Sequence, residues 1–330
     1  MDILEILRSG LQQALGPQAI VFALAAIGLN IHFGYTGLLN FGQAGFVAAG
    51  AYGLAVAVVT FEAPFFVGVI MAVVAPIVLA VILGLPTLRL RADYLAIVTI
   101  ASAEVLRFVF GSVETKDFFG GSNGLTGYAQ PFQDANPYNG GVDLGVVAFG
   151  RNDLWSLTVG WILVALCCLL VWALMRSPWG RVLRSIREDE DAVRSLGKNV
   201  FAYKMQALAL GGVIGGLGGL FLALKQASVV PTDYSTLMTF YAFAALLLGG
   251  AARVLGPVIG AILFWFIIAA LGSFFSQSAG DGGWIPTVIM TDTQASLIRY
   301  IVLGLAIMLL MIFRPQGIFG DRREIAIDGR

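Results

Sequence analysis

Apolar residues in this chain come in runs of about 20, the length a helix needs to cross a hydrocarbon layer of about 30 Å. The runs recur along the whole sequence, at 17–33, 38–61, 65–85, 92–110, 154–175, 205–224, 237–250, 255–275 and 297–313. They predict an all-α polytopic membrane protein of about nine transmembrane helices, within a range of eight to ten. The run at 237–250 is short for a straight crossing, and the stretch 34–45 is too rich in glycine for a simple helix. Either is a candidate broken or re-entrant segment. Small residues at four-residue spacing, Gly211, Gly215 and Gly219 and again Gly256 and Gly260, make faces that let helices pack closely in lipid. Gly- or Pro-interrupted apolar segments occur in both halves of the chain, which is a pattern of transporters built from repeats. No residue-level repeat accompanies it.

The polar segments between the runs divide the chain. The whole of 1–330 reads as one transmembrane domain, with a polar, Gly- and Asn-rich segment at 111–153, a charged loop at 176–204 and a tail at 314–330. Lys and Arg concentrate in alternate loops: Arg89 and Arg91; Arg176, Arg181, Arg184, Arg187, Arg194, Lys198 and Lys204; Arg253; and Arg314, Arg322, Arg323 and Arg330. The opposite loops hold Lys116, Arg151 and Lys225. Positive loops stay inside, so 176–204 and the C-terminus are predicted to be cytoplasmic and 111–153 an external cap. With nine spans the N-terminus falls outside, and the residues before Pro17 read as an interfacial helix. No basic, cleavable leader pattern precedes the first span.

Composition agrees with the hydropathy reading. Only 12% of residues are charged and 58% are hydrophobic, with a mean hydropathy of +0.86, whereas soluble domains carry about 25% charge. The zero net charge gives no sign of a nucleic-acid partner. Cys167 and Cys168 sit inside an apolar run and read as packing residues. His32, the single histidine, has no Cys or carboxylate cluster beside it and reads as interfacial or packing rather than metal-binding. No phosphate loop or hydrolase motif is present, so the chain reads as neither an enzyme nor a cofactor carrier. The cluster 120–127 lacks the Lys of a phosphate loop and reads as a tight turn at the outer mouth. Glu104 and Arg107, at i,i+3 within an apolar run, are expected to pair or to line a polar path, since lone charges in a bilayer are costly.

In the charged loop, Leu183, Ile186, Val193 and Leu196 recur at helical spacing, and Arg184/Glu188, Arg187/Asp191 and Glu190/Arg194 stand at i,i+4. Such pairs support a helix, and Gly197 supplies its stop. The spacing predicts one amphipathic helix, either lying on the membrane or docking a cytoplasmic partner by its apolar side.

Several motifs then carry a resemblance that covers nearly the whole chain. They are Gly34-Tyr-Thr-Gly-Leu-Leu-Asn-Phe-Gly-Gln-Ala-Gly-Phe46 with Gly50-Ala-Tyr52, Leu88-Arg-Leu-Arg-Ala-Asp-Tyr-Leu-Ala-Ile-Val-Thr99, Glu104-Val-Leu-Arg107, Gly120-Gly-Ser-Asn-Gly-Leu-Thr-Gly127, Trp179-Gly-Arg181 with Ile186-Arg-Glu-Asp-Glu190, Leu255-Gly-Pro-Val-Ile-Gly260 and Arg314-Pro-Gln-Gly317. In this order they resemble the LivM-type permease of branched-chain amino acid ABC importers. That family's coupling loop carries Glu-Ala-Ala-x3-Gly; here Asp191, Ala192, Val193 and Gly197 hold those positions, with Asp for Glu and Val for Ala.

The resemblance implies a multi-pass subunit of a prokaryotic cell membrane, in a complex with a second homologous permease, two cytoplasmic ATPases and an extracytoplasmic binding protein for leucine, isoleucine or valine. It implies ATPase coupling through Arg184, Arg187, Glu190, Asp191, Ala192 and Gly197. It names no substrate-binding residue. A urea or amide importer permease of the same family would look nearly identical. An ion-coupled secondary transporter would carry more intramembrane acid than Glu104.

Overall fold

The computed structural model describes residues 3–89, 92–143, 148–279, 292–314 and 316–320. Arg91, Arg322, Arg323 and Arg330 therefore lie outside the described residues, as does most of the tail at 314–330.

The described residues are mostly helical. Its helices run α1 Ile3–Ala14, α2 Pro17–Leu29, α3 Gln43–Ala55, α4 Phe65–Thr87, α5 Ala92–Gly111, α6 Lys116–Phe119, α7 Gln130–Asp134, α8 Arg151–Arg176, α9 Pro178–Glu188, α10 Glu190–Ser195, α11 Val200–Gln226, α12 Thr236–Gly249, α13 Gly256–Ala279 and α14 Asp292–Phe313. Among the described residues, seven stretches are long and apolar enough to span a bilayer, namely Pro17–Tyr35, Gln43–Thr60, Phe65–Thr87, Asp93–Gly111, Arg151–Arg176, Val200–Gln226 and Gly256–Ser278; Thr236–Gly249 and Leu297–Phe313 are shorter. These correspond one for one to the nine apolar runs.

The helices divide by burial. α2 passes through the middle of the bundle, every residue from Ala19 to Leu29 buried, between α11, α13, α12 and α8. α4, by contrast, exposes Ile70, Ile77, Val78, Val81 and Ile82, which is what a helix bathed in lipid presents. A helix that is apolar all round must find either protein or lipid. Here α2 finds the first and α4 the second. The glycine stripe of α11 lets three neighbours come close: a β-carbon on Gly211 would strike His32, one on Gly215 the Gln43 amide, and one on Gly219 the Val47 carbonyl.

Of the two candidate broken segments, 34–45 is interrupted, whereas 237–250 is one continuous short helix. After Leu29 the chain loosens into a π-helical turn at Asn30–Tyr35 and then runs without regular structure to Gly42, so the span at 38–61 begins as helix only at Gln43. α12 has 14 residues, about 21 Å of helix at about 1.5 Å per residue.

At one end of the bundle the described residues between α5 and α8 pack as a cap. Short strands β1 Leu125–Thr126 and β4 Ser228–Val229 pair antiparallel, and β2 Val142–Asp143 pairs with β3 Ala148–Phe149. Thr60 donates to the Phe118 carbonyl at 2.8 Å, and Tyr128 to the Ala223 carbonyl at 3.1 Å. Gly120, Gly121, Gly124 and Gly127 all take positive φ, consistent with tight turns. α1 packs along α13, so the segment before Pro17 is a helix seated on the bundle. Cys167 and Cys168 are buried and free.

Candidate functional site

The unwound stretch between α2 and α3 places backbone polar groups inside the bundle, where each needs a partner. Asn40, Gln43 and His32 supply them. Asn40 Nδ2 donates to His32 Nδ1 at 3.0 Å and to Gln43 Oε1 at 3.2 Å, while its Oδ1 accepts from Gly42 N at 2.9 Å. His32 Nδ1 is thus an acceptor, and the remaining ring N–H, on Nε2, donates to the Leu208 carbonyl on α11 at 3.1 Å. Gln43 Nε2 donates to the Ala25 and Gly211 carbonyls, both at 3.3 Å. Neighbouring helices add hydroxyls: Thr99 accepts from Phe41 N at 3.0 Å and Thr239 from Ala44 N at 2.9 Å. His32 is fully buried and lies in a saturated network, so the interfacial alternative for it is corrected.

The same stretch is tied to the turn that follows α12. Asn30 Oδ1 accepts from Ala252 N and its Nδ2 donates to the Arg253 carbonyl, each at 2.8 Å. This clamps the turn between α12 and α13 onto the end of α2.

The charged loop reaches this clamp directly. It is two helices, not one: the chain breaks at Asp189, whose extended backbone (φ −153°, ψ 102°) ends α9 and whose carboxylate caps α10 by accepting from Ala192 N at 2.9 Å. Asp is a favoured N-cap residue because a short acceptor satisfies an orphan amide. The break also disperses the i,i+4 series. Of the three expected pairs, Glu190–Arg194 forms at 2.9 Å, joined by Asp191–Arg194 at 3.0 Å. Glu190 also pairs with Lys204. Arg187, though exposed, reaches the unwound stretch instead, and its Nη1 donates to the Gly34 carbonyl at 2.6 Å. Gly37 (φ +73°) passes beneath it, so near that a β-carbon there would lie 3.3 Å from Arg187 Cγ. Arg184 also faces the bundle, donating to the Met175 carbonyl at 3.4 Å with its guanidinium 5.7 Å from the Tyr35 ring centroid.

The apolar stripe is corrected as well. Leu183, Ile186 and Val193 are buried against this chain's own bundle, stabilising the loop by on the order of 2 kcal/mol per side chain. They are not available to a partner. What projects is the far edge: Asp191, Ala192, Arg194 and Gly197 are exposed, and Leu196 is 80% exposed. Gly197 ends the edge at φ +77° with open space around it. A side chain there would be strained by the backbone and by nothing else.

Within α5, Arg107 Nε donates to Glu104 Oε2 at 2.8 Å. The other oxygen, Oε1, accepts from Thr236 N at 3.0 Å and from the Thr236 hydroxyl. Glu104 therefore caps the start of the short α12 from a neighbouring helix, where a carboxylate meets both orphan N–H groups and the positive end of the dipole.

Arg299 was missed by the sequence reading. It stands in the apolar run of α14 beside a cavity of about 560 Å³ that Glu5, Gln13, Gln18, Ser273 and Trp265 also line. Its Nη2 donates to Tyr300 at 3.1 Å, and its buried Nε has no hydrogen-bond partner among the described residues. The signal was available, because an arginine inside a span marks a polar environment. Among the described residues no cluster of His, Cys, Asp and Glu could hold a metal.

Residues 15–312 match the family model of the permease component of branched-chain amino acid transport systems. The chain is 28% identical over 312 residues to the high-affinity branched-chain amino acid transport system permease protein LivM of Salmonella typhimurium, covering 91% of this chain and 68% of that one. It is 24% identical over 340 residues to the probable branched-chain amino acid transport permease protein LivM of Methanocaldococcus jannaschii, covering 92% and 91%. The ribose import permease protein RbsC of Bacillus subtilis is 28% identical over 315 residues, covering 87% and 95%.

Proposed function

This chain belongs to the family of permease components of branched-chain amino acid transport systems, and we propose that it forms one half of the membrane channel of an ATP-driven importer for leucine, isoleucine or valine. It is a transport subunit of a cell membrane, and in this reading ATP is hydrolysed by two cytoplasmic partner chains. A second, homologous permease completes the channel, and an extracytoplasmic binding protein delivers the substrate. The 176–204 loop faces the cytoplasm.

The observation that carries the coupling reading is the contact of α9 with the broken core. The α10 edge, from Asp191 to Gly197, sits on the ATPase with Leu196 as its apolar anchor. When the ATPases close on ATP, α10 and α9 move together, since the two helices pack on each other and Val193 and Ile186 are buried in one core cluster. Arg187 carries that movement to Gly34, and Asn30 carries it to the 252–253 turn. The unwound segment, having no continuous helical ladder, yields more readily than the flanking helices. Rigid-body motion then switches access from one side to the other.

Reconstitution of this chain with its second permease, ATPases and binding protein in proteoliposomes tests the reading. Uptake of labelled leucine, isoleucine or valine that requires ATP inside the vesicles is expected. Uptake of ribose or urea in place of these would move the chain to another substrate class, and uptake on an ion gradient without the ATPases would remove it from the ATP-driven class.

A further inference from the structure

Glu104 and Arg107 form a charged pair inside an apolar span, and the pair is not closed off. Their side chains stay 30% and 25% exposed, although Arg107 commits two donors, Nε and Nη2, to Glu104 Oε2, both at 2.8 Å. Glu104 stands seven residues before the end of α5 at Gly111, about 10 Å of helix at about 1.5 Å per residue. Thr236, the first residue of α12, meets Glu104 there. The fold thus brings a carboxylate, a guanidinium and the start of a helix to one level inside the apolar layer. Around them Val105 and Phe108 on α5 and Leu237 and Phe240 on α12 are exposed, and the two helices touch. We propose that this face receives the transported amino acid as a zwitterion: its carboxylate meets Arg107, its ammonium meets Glu104, and its branched side chain rests on Leu237 and Phe240. The proposal deepens, and rests on, the reading of this chain as half of an amino acid channel.

Three observations converge on that occupant. First, hydrocarbon is a poor neighbour for a partly exposed ion pair, and ionisable groups within a span turn to protein interior or to a watered path. Second, the charges are complementary. Glu104 and Arg107 cancel, and so do the two ends of a zwitterion, so the filled face stays neutral where net charge is costly. A lone anion or cation would leave one charge uncompensated, and ribose or urea brings no charge for the pair to hold. A guanidinium has five N–H donors in a fork, so Arg107 can meet a second carboxylate while keeping its bond to Glu104. Third, the apolar side chains lie within about one helical turn of the pair. They suit a branched alkyl group, whereas a polar side chain laid against them would lose water without gaining a partner.

The position also joins the site to the part of the core that yields. Phe240 packs on Phe41 of the unwound stretch, with 5.8 Å between ring centroids, and the Phe41 amide is held by Thr99 on α5 at 3.0 Å. A shift of that stretch therefore alters the apolar floor of the site, which gives the bound amino acid a way to be released.

The test uses the whole reconstituted complex. If the parent complex does not import leucine on ATP, the amino acid reading itself falls and this proposal with it. Where the parent does import leucine, it is compared with the double variant Glu104→Gln with Arg107→Met. Gln can still accept from Thr236, and removing both charges together leaves no lone ion in the span. Stimulation of the ATPases by loaded binding protein should stay within about twofold of the parent, while leucine moved per ATP should fall at least about tenfold, the order of one charge-assisted contact. A ratio equal to the parent's overturns the proposal and leaves the channel reading standing. Equal loss of stimulation and uptake would make the pair a packing element, with the same consequence. A photoactivatable diazirine analogue of leucine, delivered by the binding protein to the vanadate-arrested complex, should label residues 104–108 and 236–240. Labelling confined to other segments overturns the proposal too.

Discussion

Arg187 donates a hydrogen bond of 2.6 Å to the carbonyl of Gly34, joining the amphipathic helix α9 to the unwound end of α2. The bond is charge-assisted, and such bonds contribute about 1.5 to 3 kcal/mol. Few single contacts could carry a displacement from the loop to the core so directly.

Removing that strut should uncouple rather than unfold. In Arg187→Ala, the Gly34 carbonyl loses its partner while Leu183 and Ile186 still hold α9 in place. Amino acid uptake in the reconstituted complex should fall at least tenfold, with the ATPases still bound. Equal uptake in Arg187→Ala and the parent protein would remove Gly34 from the coupling route.

Glu104 predicts a stability effect. Glu104→Ala leaves the first turn of α12 uncapped and Arg107 without its carboxylate, and should lower stability by about 2 kcal/mol, read as a drop in thermal midpoint in detergent. Glu104→Gln can still accept from Thr236 and should lose less. If Glu104→Gln matched the parent in both assembly and uptake, the carboxylate would have neither a packing nor a path-lining role.

The Asn40 network should be less forgiving. Asn40→Leu deprives His32, Gln43 and Gly42 of partners at once, and each orphaned buried group costs about 1 to 3 kcal/mol. Little folded protein should be recovered from membranes, as judged by a monodisperse gel-filtration peak, whereas Thr99→Val, which orphans only Phe41 N among these contacts, should yield folded chain. Equal recovery of the Asn40 and Thr99 variants would mean that the unwound segment does not depend on this network.

Hydropathy made the bundle legible, because a span must be apolar along about 20 residues whatever it packs against. The interruption at 34–45 was legible too, since glycine marks where a backbone departs from helix or comes close to another. What an apolar stripe touches is a different matter. Leu183, Ile186, Val193 and Leu196 share one spacing, yet three are buried at home and one projects, and spacing carries no information about which surface lies opposite. Asp189 could have been read as a cap opening a second helix, but charges placed at i,i+4 across it argued for continuity. The Leu208 carbonyl that His32 meets and both partners of Asn30 lie about 180 and 220 residues away in the chain and are backbone groups, which leave no mark in a single sequence.

Gly197 should matter through its backbone alone. Its positive φ strains any β-branched residue, and nothing within 4 Å would resist the side chain itself. Gly197→Val should therefore reduce stimulation of the ATPases by loaded binding protein, with normal membrane insertion, while Gly197→Asn, which tolerates that φ, should retain most of it. Identical losses in the two variants would point to a contact made by the glycine surface.

Leu196 carries the central claim, that the α10 edge is the docking surface for the ATPase. The direct measurement is pull-down of the ATPase subunits by Leu196→Asp, with ATP-driven leucine uptake measured on the same preparation. The substitution touches no buried neighbour, so insertion and thermal midpoint should match the parent. Retention of the ATPases should fall at least tenfold, and uptake with it. Normal retention and normal uptake in Leu196→Asp would contradict the account and leave α9 and α10 as a surface feature of the membrane domain.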